Sequence, residues 1–306
     1  MYNFLQVIVL KAVFSAKKPG RLPPYLGSTI RGILGHCFRD FVCHTPEVKC
    51  FCCERRNVCS YVKLFSNTGG EGGAINPFVI HAVTEGKTQW EVGDDCIFEI
   101  TLFGRAAQAP GIYLDALIAM QKKGWGAERI PFSLKRIVET DTGKLIYAAG
   151  QTWIRNLAPH FMNIEPRSPR MALVNFDTPV RIVMGKVLFA DLPFRQLIRF
   201  IAGRFSLVTQ VHTEYTLDWD LEKLLDKASR IKVVKQEWTA VDFTRFSINQ
   251  KDNKLELPAK KGWVLYEGDL SSFVPILEVG RYLQAGKNTT IGFGHYEVFY
   301  DEEAET

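Results

Sequence analysis

A nine-residue loop near the C-terminus carries residue types that bind phosphate. It reads Gly286-Lys-Asn-Thr-Thr-Ile-Gly-Phe-Gly294 and contains three glycines, one lysine and two threonines. Glycine permits positive φ angles and the close approach of another backbone, and free amides in such a loop form an anion-binding concavity. The residues that we predict to bind a phosphate backbone are Gly286, Lys287, Asn288, Thr289, Thr290, Gly292 and Gly294. The alternative is a sharp turn into an edge strand.

The loop differs from the common nucleotide-binding motifs. A Walker A loop places its lysine after the second glycine and directly before serine or threonine, whereas Lys287 follows the first glycine. A dinucleotide-binding fingerprint follows a strand and opens a helix, but residues 286–294 follow a helical pattern and precede a strand. No nucleotide cofactor is therefore predicted.

A second group of residues has the composition of a metal site. Six of the seven cysteines fall between residues 37 and 59. Cys43, Cys50, Cys53 and Cys59 have the spacing C-x6-C-x2-C-x5-C, and its C-x-x-C pair lets two thiolates bind one tetrahedral ion. Residues 43–60 lack a long apolar run, so packing alone cannot order them, whereas a structural zinc ion would. We predict that these four cysteines are metal ligands.

The remaining residues of this cluster have other expected roles. Cys37 lies on the apolar face of a predicted helix and is expected in the core. Cys52 is expected to be a spare thiol, because adjacent cysteines rarely ligate one metal, and His44 is a further candidate ligand. An iron–sulfur cluster uses the same ligand set and stays open as an alternative to zinc. Free thiols are another alternative, and disulfides are disfavoured without export.

The first predicted helix carries a histidine away from its apolar face. Apolar residues recur at helical spacing over residues 25–42, at Leu26, Ile30, Ile33, Leu34, Cys37 and Phe41. His36 lies about 120° from the centre of this stripe, so it should face the surface or a cleft. Gly32 and Gly35 weaken the helix, and they are explained if another backbone, of protein or RNA, passes close. An imidazole in such a place can act as an acid or a base near neutral pH.

The elements that position these residues follow from periodicity. The predicted strands are 4–14, 78–83, 96–104, 130–138, 144–149, 171–183, 231–246, 262–268 and 295–300. The predicted helices are 25–42, 112–123, 194–206, 220–229 and 272–284. The glycine-rich stretch 66–77 is predicted to be a mobile loop.

This order of elements predicts an α+β fold made of two tandem ferredoxin-like (RRM-like) domains. The first domain should span residues 1–165 and carry the cysteine-rich metal-binding insertion at 43–60. The second should span residues 166–306 and carry the glycine-rich loop at 286–294.

Composition sets wider limits on the function. Hydrophobic residues make up 46% and charged residues 23%, as in an ordinary soluble globular protein. No apolar run approaches the roughly 18 residues that cross a bilayer, and the apolar N-terminus alternates and lacks the basic start of a signal peptide. We therefore expect a cytoplasmic protein without a membrane partner. The net charge of +5 permits an RNA partner without requiring one.

Three segments, in family order, resemble the CRISPR repeat-processing endoribonucleases of the RAMP superfamily. The first is Leu26-Gly-Ser-Thr-Ile-Arg-Gly-Ile-Leu-Gly-His36, followed by the cysteine cluster and Tyr61-Val-Lys-Leu-Phe65. The second is Asp242-Phe-Thr-Arg-Phe-Ser247, and the third is residues 272–300. The resemblance implies two ferredoxin-like domains and metal-independent cleavage of RNA. In that reaction a 2′-OH attacks its own phosphodiester and leaves a 2′,3′-cyclic phosphate and a 5′-OH.

The resemblance also implies a catalytic residue. A histidine on the first helix commonly serves as acid or base in this family, and His36 occupies the matching position. Arg39, further along the same helix, is predicted to stabilise the pentavalent phosphate, with a surface salt bridge as the alternative. Many relatives add a tyrosine and a lysine. Here Tyr25 is about 16 Å away along the helix, and the first lysine after His36 is Lys49.

Two residues of the second domain are further RNA-binding candidates. Arg245 lies on the predicted strand 231–246, where an arginine can bind phosphate with two hydrogen bonds, although a structural ion pair is the alternative. His295, at the exit of the glycine-rich loop, is a candidate to face the RNA.

The sequence therefore predicts an enzyme, a metal-independent endoribonuclease that cleaves CRISPR precursor transcripts within each repeat. It should bind the CRISPR repeat RNA and the crRNA product, with subunits of an effector complex as further partners. The alternative is a non-catalytic RNA-binding RAMP subunit of a CRISPR effector complex, which would not need His36. A third hypothesis is an unrelated zinc-stabilised interaction protein.

Overall fold

The computed structural model describes residues 5–66, 75–82, 84, 86–162, 164–246 and 254–301. Within them the chain forms two compact units, residues 5–161 with 211–214 and residues 162–210 with 215–301. Most of the predicted loop 66–77 lies outside the described residues, and so does Ser247. No helix within the described ranges is long and apolar enough to cross a membrane.

The first unit is built on an antiparallel sheet. Its main strands are β1 (Gln6–Ala16), β2 (Phe78–Ala82), β3 (Asp95–Phe103) and β4 (Ile130–Glu139), in the spatial order β2-β3-β1-β4. Helix α1 (Gly27–Val42) lies between β1 and β2 in the chain, and α2 (Pro110–Ala119) lies between β3 and β4. The sheet continues through β5 (Lys144–Ala148) and Gln151–Thr152. The other two-residue strands are Gly20–Arg21, Gln89–Trp90, Gly124–Trp125 and His160–Phe161.

The core of the first unit joins one face of β1 to the apolar faces of both helices. The side chains of β1 that enter this core alternate along the strand and are Ile8, Leu10, Ala12, Phe14 and Ala16. From α1 come Ile30, Leu34 and Phe38, which share one stripe of the helix and are fully buried. Burial of each such large side chain contributes about 1.5–3 kcal/mol. This stripe therefore fixes which residues of α1 face outward.

The second unit repeats the arrangement. Its strands are β6 (Met171–Val180), β7 (Lys232–Phe246), β8 (Lys254–Glu267) and β9 (Glu297–Tyr300), in the spatial order β7-β8-β6-β9. The helices are α3 (Phe194–His212), α4 (Leu221–Ala228) and α5 (Val274–Leu283). A ribbon of two short strands, Val183–Met184 and Val187–Leu188, follows β6.

Both units thus have the β-α-β-β-α-β order and the antiparallel strand neighbours of a ferredoxin-like fold, with α4 added in the second. The predicted fold class is confirmed, while metal binding by the cysteine-rich segment stays a prediction. Most boundaries differ from the sequence-based ones by a few residues, as at α1, which begins at Gly27 rather than at residue 25. The largest differences are at β8, which begins at Lys254 rather than at residue 262, and at α3, which ends at His212 rather than at residue 206.

The early part of β8 was missed for a structural reason. Its pairing with β6 ends at Lys260, so the residues before it pair with β7 alone. Pro258, which lacks an amide hydrogen, lies opposite Asp242 in this stretch. Proline is compatible with a strand that has one free edge, but in a sequence it argues against a central strand.

Candidate functional site

His36 is exposed on α1, on the side away from the buried stripe. Gly32 lies four residues earlier, and among the described residues no heavy atom beyond the backbone of the helix itself comes within 4 Å of the place where a Cβ on Gly32 would lie. Residues four apart are neighbours on a helix surface. The imidazole therefore stands beside an open strip of helix that leaves room for a bound chain.

Gly35 is explained by a side chain and not by a passing backbone. A Cβ at this position would lie 2.6 Å from Cε1 of Phe65. The Phe65 ring packs in turn on Phe38, with centroids 5.5 Å apart, and on Phe78 at 4.9 Å. The expectation that both helix glycines accommodate another backbone is therefore wrong for Gly35, because an aromatic ring fills that space.

Arg39 is directed toward the cysteine-rich segment. Its Nη2 donates hydrogen bonds to the carbonyl oxygens of Pro46 (2.8 Å) and Val48 (3.1 Å). A side-chain hydrogen bond to Cys43 raises the pKa of the guanidinium further. Arg39 thus holds the chain after α1 against the end of the helix, and its predicted role at a phosphate stays a prediction.

The other two candidates near His36 both lie outside α1. Tyr25 precedes α1, which begins at Gly27, so a separation derived from helical rise does not apply to it. The Tyr25 side chain is half-buried. Lys49 is exposed, and its Nζ lies 5.8 Å from the centroid of the Phe51 ring.

The four predicted metal ligands line one cavity of about 110 Å³. Cys43, Cys50, Cys53 and Cys59 are all half-buried free thiols, and His44 lies on the same cavity wall. Burial raises the pKa of Cys50, Arg39 opposes this, and Cys43, Cys59 and Cys53 raise it further. Within the described part of the chain, no three of these sulfurs come within 4.8 Å of one another.

The other two cysteines of the segment are placed as the sequence suggested. Cys37 is buried in the core of the first unit, and this burial raises its pKa to about 11. Cys52 is exposed beside Cys53. Only the four cysteines with the predicted spacing therefore share the cavity.

The glycine-rich loop is closed by backbone hydrogen bonds. The amide of Lys287 donates to the carbonyl of Arg181 (2.8 Å), and that of Gly294 donates to the carbonyl of Pro179 (2.8 Å). The amide of Ala285 donates to the carbonyl of Gly294 (2.8 Å), which joins the two ends of the loop. At the start of the loop, Arg204 Nε donates to the carbonyl of Leu283 (2.7 Å), and burial lowers the pKa of this guanidinium to about 10.

The three glycines are required by this closed form. Gly286, Gly292 and Gly294 have φ angles of 83°, 91° and 81°, which side-chain-bearing residues rarely adopt. A Cβ on Gly286 would lie 2.6 Å from the carbonyl oxygen of Arg181, and one on Gly294 would overlap the carbonyl oxygen of Ala285. These glycines therefore serve the path of the loop itself.

The groups of the loop that could still bind a phosphate lie in residues 286–290. The Lys287 side chain is exposed, whereas the Thr289 side chain is only 2% exposed. Asn288 has a left-handed φ of 68°. In the part of the chain that the structure describes, four amides have no acceptor, those of Gly286, Asn288, Thr289 and Thr290.

The two other RNA-binding candidates of the second unit are Arg245 and His295. Arg245 lies in β7 opposite Leu255, and its side chain lies outside the described part of the structure. The Nδ1 of His295 lies 2.7 Å from Oδ1 of Asp177 on β6, and its amide donates to Oγ1 of Thr178 (2.9 Å). Asp177 was missed from the sequence, because nothing local connects residues 118 positions apart.

Comparison with known families accounts for most of the chain. A family model described as the CRISPR-associated endoribonuclease Cas6 matches residues 174–296, and a model described as an N-terminal domain matches residues 5–159. Residues 174–296 thus resemble the CRISPR-associated endoribonuclease Cas6. The Cas6 model covers the glycine-rich loop and Arg245, whereas His36 and the cysteines lie in the region of the N-terminal model.

Solved structures share the Cas6 fold at low sequence identity. Thermus thermophilus Cas6 is 13% identical, with a TM-score of 0.56 over 96% of this chain and 99% of that one. A Cas6 product complex is 16% identical, with a TM-score of 0.55 over 97% and 100%. A partial Cas6-RT-Cas1–Cas2 complex is 11% identical, with a TM-score of 0.63 over 98% of this chain and 47% of that one.

The chain thus spans about half the length of the protein in the Cas6-RT-Cas1–Cas2 complex, where coverage is 47%. At these identities the likeness concerns the fold alone. No curated protein matches the chain.

Proposed function

We propose that this chain is a Cas6-family endoribonuclease that cleaves CRISPR precursor RNA within its repeats without a catalytic metal. The observation that carries the proposal is the exposed His36 on α1, beside the open surface at Gly32. The match to the Cas6 endoribonuclease model supports the same reaction class.

The chemistry needs a base and an acid at one phosphodiester. The 2′-oxygen attacks the adjacent phosphorus and loses its proton to the base, while the 5′-oxygen leaves and accepts a proton from the acid. The products are a 2′,3′-cyclic phosphate and a 5′-OH. An imidazole, whose unperturbed pKa is about 6.5, can supply or accept either proton near neutral pH. His36 is free of the core and held on a helix, so it can meet a phosphodiester laid along Gly32.

RNA retention is assigned to the first half of the glycine-rich loop. Lys287 supplies an exposed positive charge, and the amides of Asn288, Thr289 and Thr290 supply hydrogen-bond donors beside it. A phosphate bound there would hold the repeat RNA and the crRNA product. Subunits of a CRISPR effector complex are the proposed partners that receive the bound product.

The test is incubation of the purified protein with its cognate repeat RNA, in metal-free buffer and separately with EDTA. Wild type should cleave in both, and His36→Ala should cleave about 10²–10⁴-fold more slowly. His160→Ala is the matched control, because His160 is another histidine of the same unit and belongs to neither candidate site, and it should cleave like wild type. Circular dichroism should show equal folding of all three proteins, and phosphatase treatment should identify the cyclic phosphate.

Gly32→Ala tests where the RNA lies. The added methyl meets no described atom outside the backbone of its own helix, and alanine is a better helix former, so the variant should be as stable as wild type or up to about 1 kcal/mol more stable. If RNA lies against this strip, the methyl should weaken RNA binding or slow cleavage.

One observation favours a second function. The Arg39 guanidinium already donates hydrogen bonds to the carbonyls of Pro46 and Val48, which compete with any contact to a phosphorane. A non-catalytic RNA-binding subunit of a CRISPR effector complex would need no such group. Tight RNA binding without cleavage in wild type would establish this function in place of the nuclease.

A further inference from the structure

The segment between α1 and the short π-helix Val62–Ser66 is anchored at both ends by the core of the first unit, whereas its middle has no buried residue. At its start, the amide of Cys43 caps α1 by donating to the carbonyl of Arg39 (2.9 Å). At its end, Leu64 and Phe65 are buried in the core of the first unit, and the Leu64 carbonyl accepts a hydrogen bond from the Tyr113 hydroxyl.

The middle consists of two short 3₁₀ turns, Cys50–Cys52 and Glu54–Asn57, neither of which contains a buried residue. The hydrogen bonds there are local turn bonds, the Arg39 contacts to Pro46 and Val48, and one from Arg56 Nη1 to the Phe51 carbonyl. In addition, Thr45 Oγ1 lies 3.6 Å from Cys53 Sγ. A stretch without buried apolar side chains gains little from the hydrophobic effect to offset the entropy lost on ordering. A different source of order is needed.

We propose that Cys43, Cys50, Cys53 and Cys59 bind one structural Zn²⁺ ion that orders residues 43–60. The four thiols line one cavity, and zinc prefers a tetrahedral set of thiolates with Zn–S bonds of about 2.3 Å. This proposed zinc site takes no part in RNA cleavage, and the proposal does not depend on whether the chain cleaves RNA.

Ion binding must draw the sulfurs together. A tetrahedral site with such bonds has sulfurs about 3.8 Å apart, whereas among the described residues no three cysteine sulfurs lie within 4.8 Å of one another. The two 3₁₀ turns can move inward without breaking core contacts, because none of their residues is buried.

The charges around the cavity suit this ion. Four thiolates and one Zn²⁺ carry a net charge of −2, which basic side chains must balance. Arg55 and Arg56 line the cavity, and Arg39 hydrogen-bonds to the carbonyls of Pro46 and Val48 in the same segment. The C-x6-C-x2-C-x5-C spacing matches neither the C-x2-C-x2-C run nor the C-x4-C-x2-C pattern of ferredoxin clusters, so zinc is favoured over iron–sulfur.

The first experiment measures metals in the purified full-length chain by mass spectrometry and records its visible spectrum. We expect one zinc per chain, no iron and no visible absorbance. Cys53→Ser should lose the zinc, whereas the adjacent Cys52→Ser should keep it, since Cys52 is exposed and outside the set of four. Iron in the protein, the absence of zinc, or equal loss in both variants would overturn the proposal.

A second measurement on wild type does not depend on whether Cys53→Ser folds. Native alkylation of the zinc-loaded protein should modify Cys52 alone. After chelation, four more thiols should react, and re-addition of zinc should protect them again. Cys37 and Cys96 should stay unmodified in every state, because burial raises their pKa to about 11 and about 12. Equal reactivity of the four thiols with and without zinc would contradict the site.

Discussion

The cysteine-rich segment (residues 43–60) and the glycine-rich loop (residues 286–294) both follow a helix of a ferredoxin-like unit, but they are held in different ways. The glycine-rich loop is closed on itself and on Pro179 and Arg181 by backbone hydrogen bonds. The cysteine-rich segment has anchored ends and a middle of short turns without buried residues, held by a few side-chain hydrogen bonds such as those of Arg39. Backbone hydrogen bonds fix the conformation of the glycine-rich loop, whereas we propose that side chains and a bound ion fix that of the cysteine-rich segment.

The glycines of one loop and the cysteines of the other also have different roles. The three loop glycines are there because a side chain would overlap neighbouring backbone or strain a positive φ. The four cysteines have no such backbone role, and their spacing is meaningful only through what the sulfurs bind. The two loops should therefore respond to opposite perturbations.

The largest expected effect is that of Gly294→Ala on the second unit. The added methyl would overlap the Ala285 carbonyl oxygen at a φ of 81°, so we expect a loss of about 3 kcal/mol in the free energy of unfolding, measured by denaturant titration. Gly185→Ala is the control, because Gly185 also has a positive φ of 55° but open space around it, and it should cost about 1 kcal/mol. Equal losses would show that φ, and not the overlap, keeps glycine in the loop.

A smaller effect is expected for Gly35→Ala, which disturbs the anchored end of the cysteine-rich segment. The methyl would lie 2.6 Å from the Phe65 ring, and displacement of that ring should destabilise the protein by about 1–3 kcal/mol in thermal or chemical unfolding. Its partner on the same helix, Gly32→Ala, should not destabilise. A stable Gly35→Ala protein would mean that the ring moves without cost.

Trypsin should distinguish the two loops directly. Lys49, Arg55 and Arg56 are exposed in the cysteine-rich segment, and Lys287 is exposed in the glycine-rich loop. Chelation should speed cleavage at the first three about tenfold or more, which corresponds to about 1.4 kcal/mol of lost local stability. Cleavage after Lys287 should stay slow with and without zinc, because backbone hydrogen bonds close that loop. Fast cleavage there would show that the loop opens easily.

The smallest effect is expected from Lys287→Ala, which leaves the loop closed. Repeat-RNA affinity should fall about fivefold, and the slope of log affinity against log salt should decrease in magnitude by roughly 0.7–0.9, as for one lost phosphate contact. Lys223→Ala is the control, because Lys223 is an exposed lysine of the same unit on α4. Unchanged affinity and slope in Lys287→Ala would remove the loop from the RNA-binding surface.

How far sequence predicts this molecule depends on the range of the interactions. The bounds of helix α1 were predicted within two residues, because its buried residues recur at helical spacing along a short stretch of sequence. The partners of Gly35 and Arg39 were not foreseen. Phe65 lies 30 positions away from Gly35, and Arg39 binds carbonyl groups, which any sequence offers. The glycine-rich loop shows the same limit, since its composition gave no sign that its amides would bind Pro179 and Arg181.

The contact between Gly35 and the Phe65 ring has a consequence for evolution. The ring occupies the space into which any side chain at position 35 would extend, so the two positions cannot change independently. Coupling of this kind gives double substitutions a cost that differs from the sum of the single ones. Position 35 directly precedes His36 on α1. Homologues that carry alanine or a larger residue at position 35 should therefore carry a smaller, non-aromatic residue at position 65.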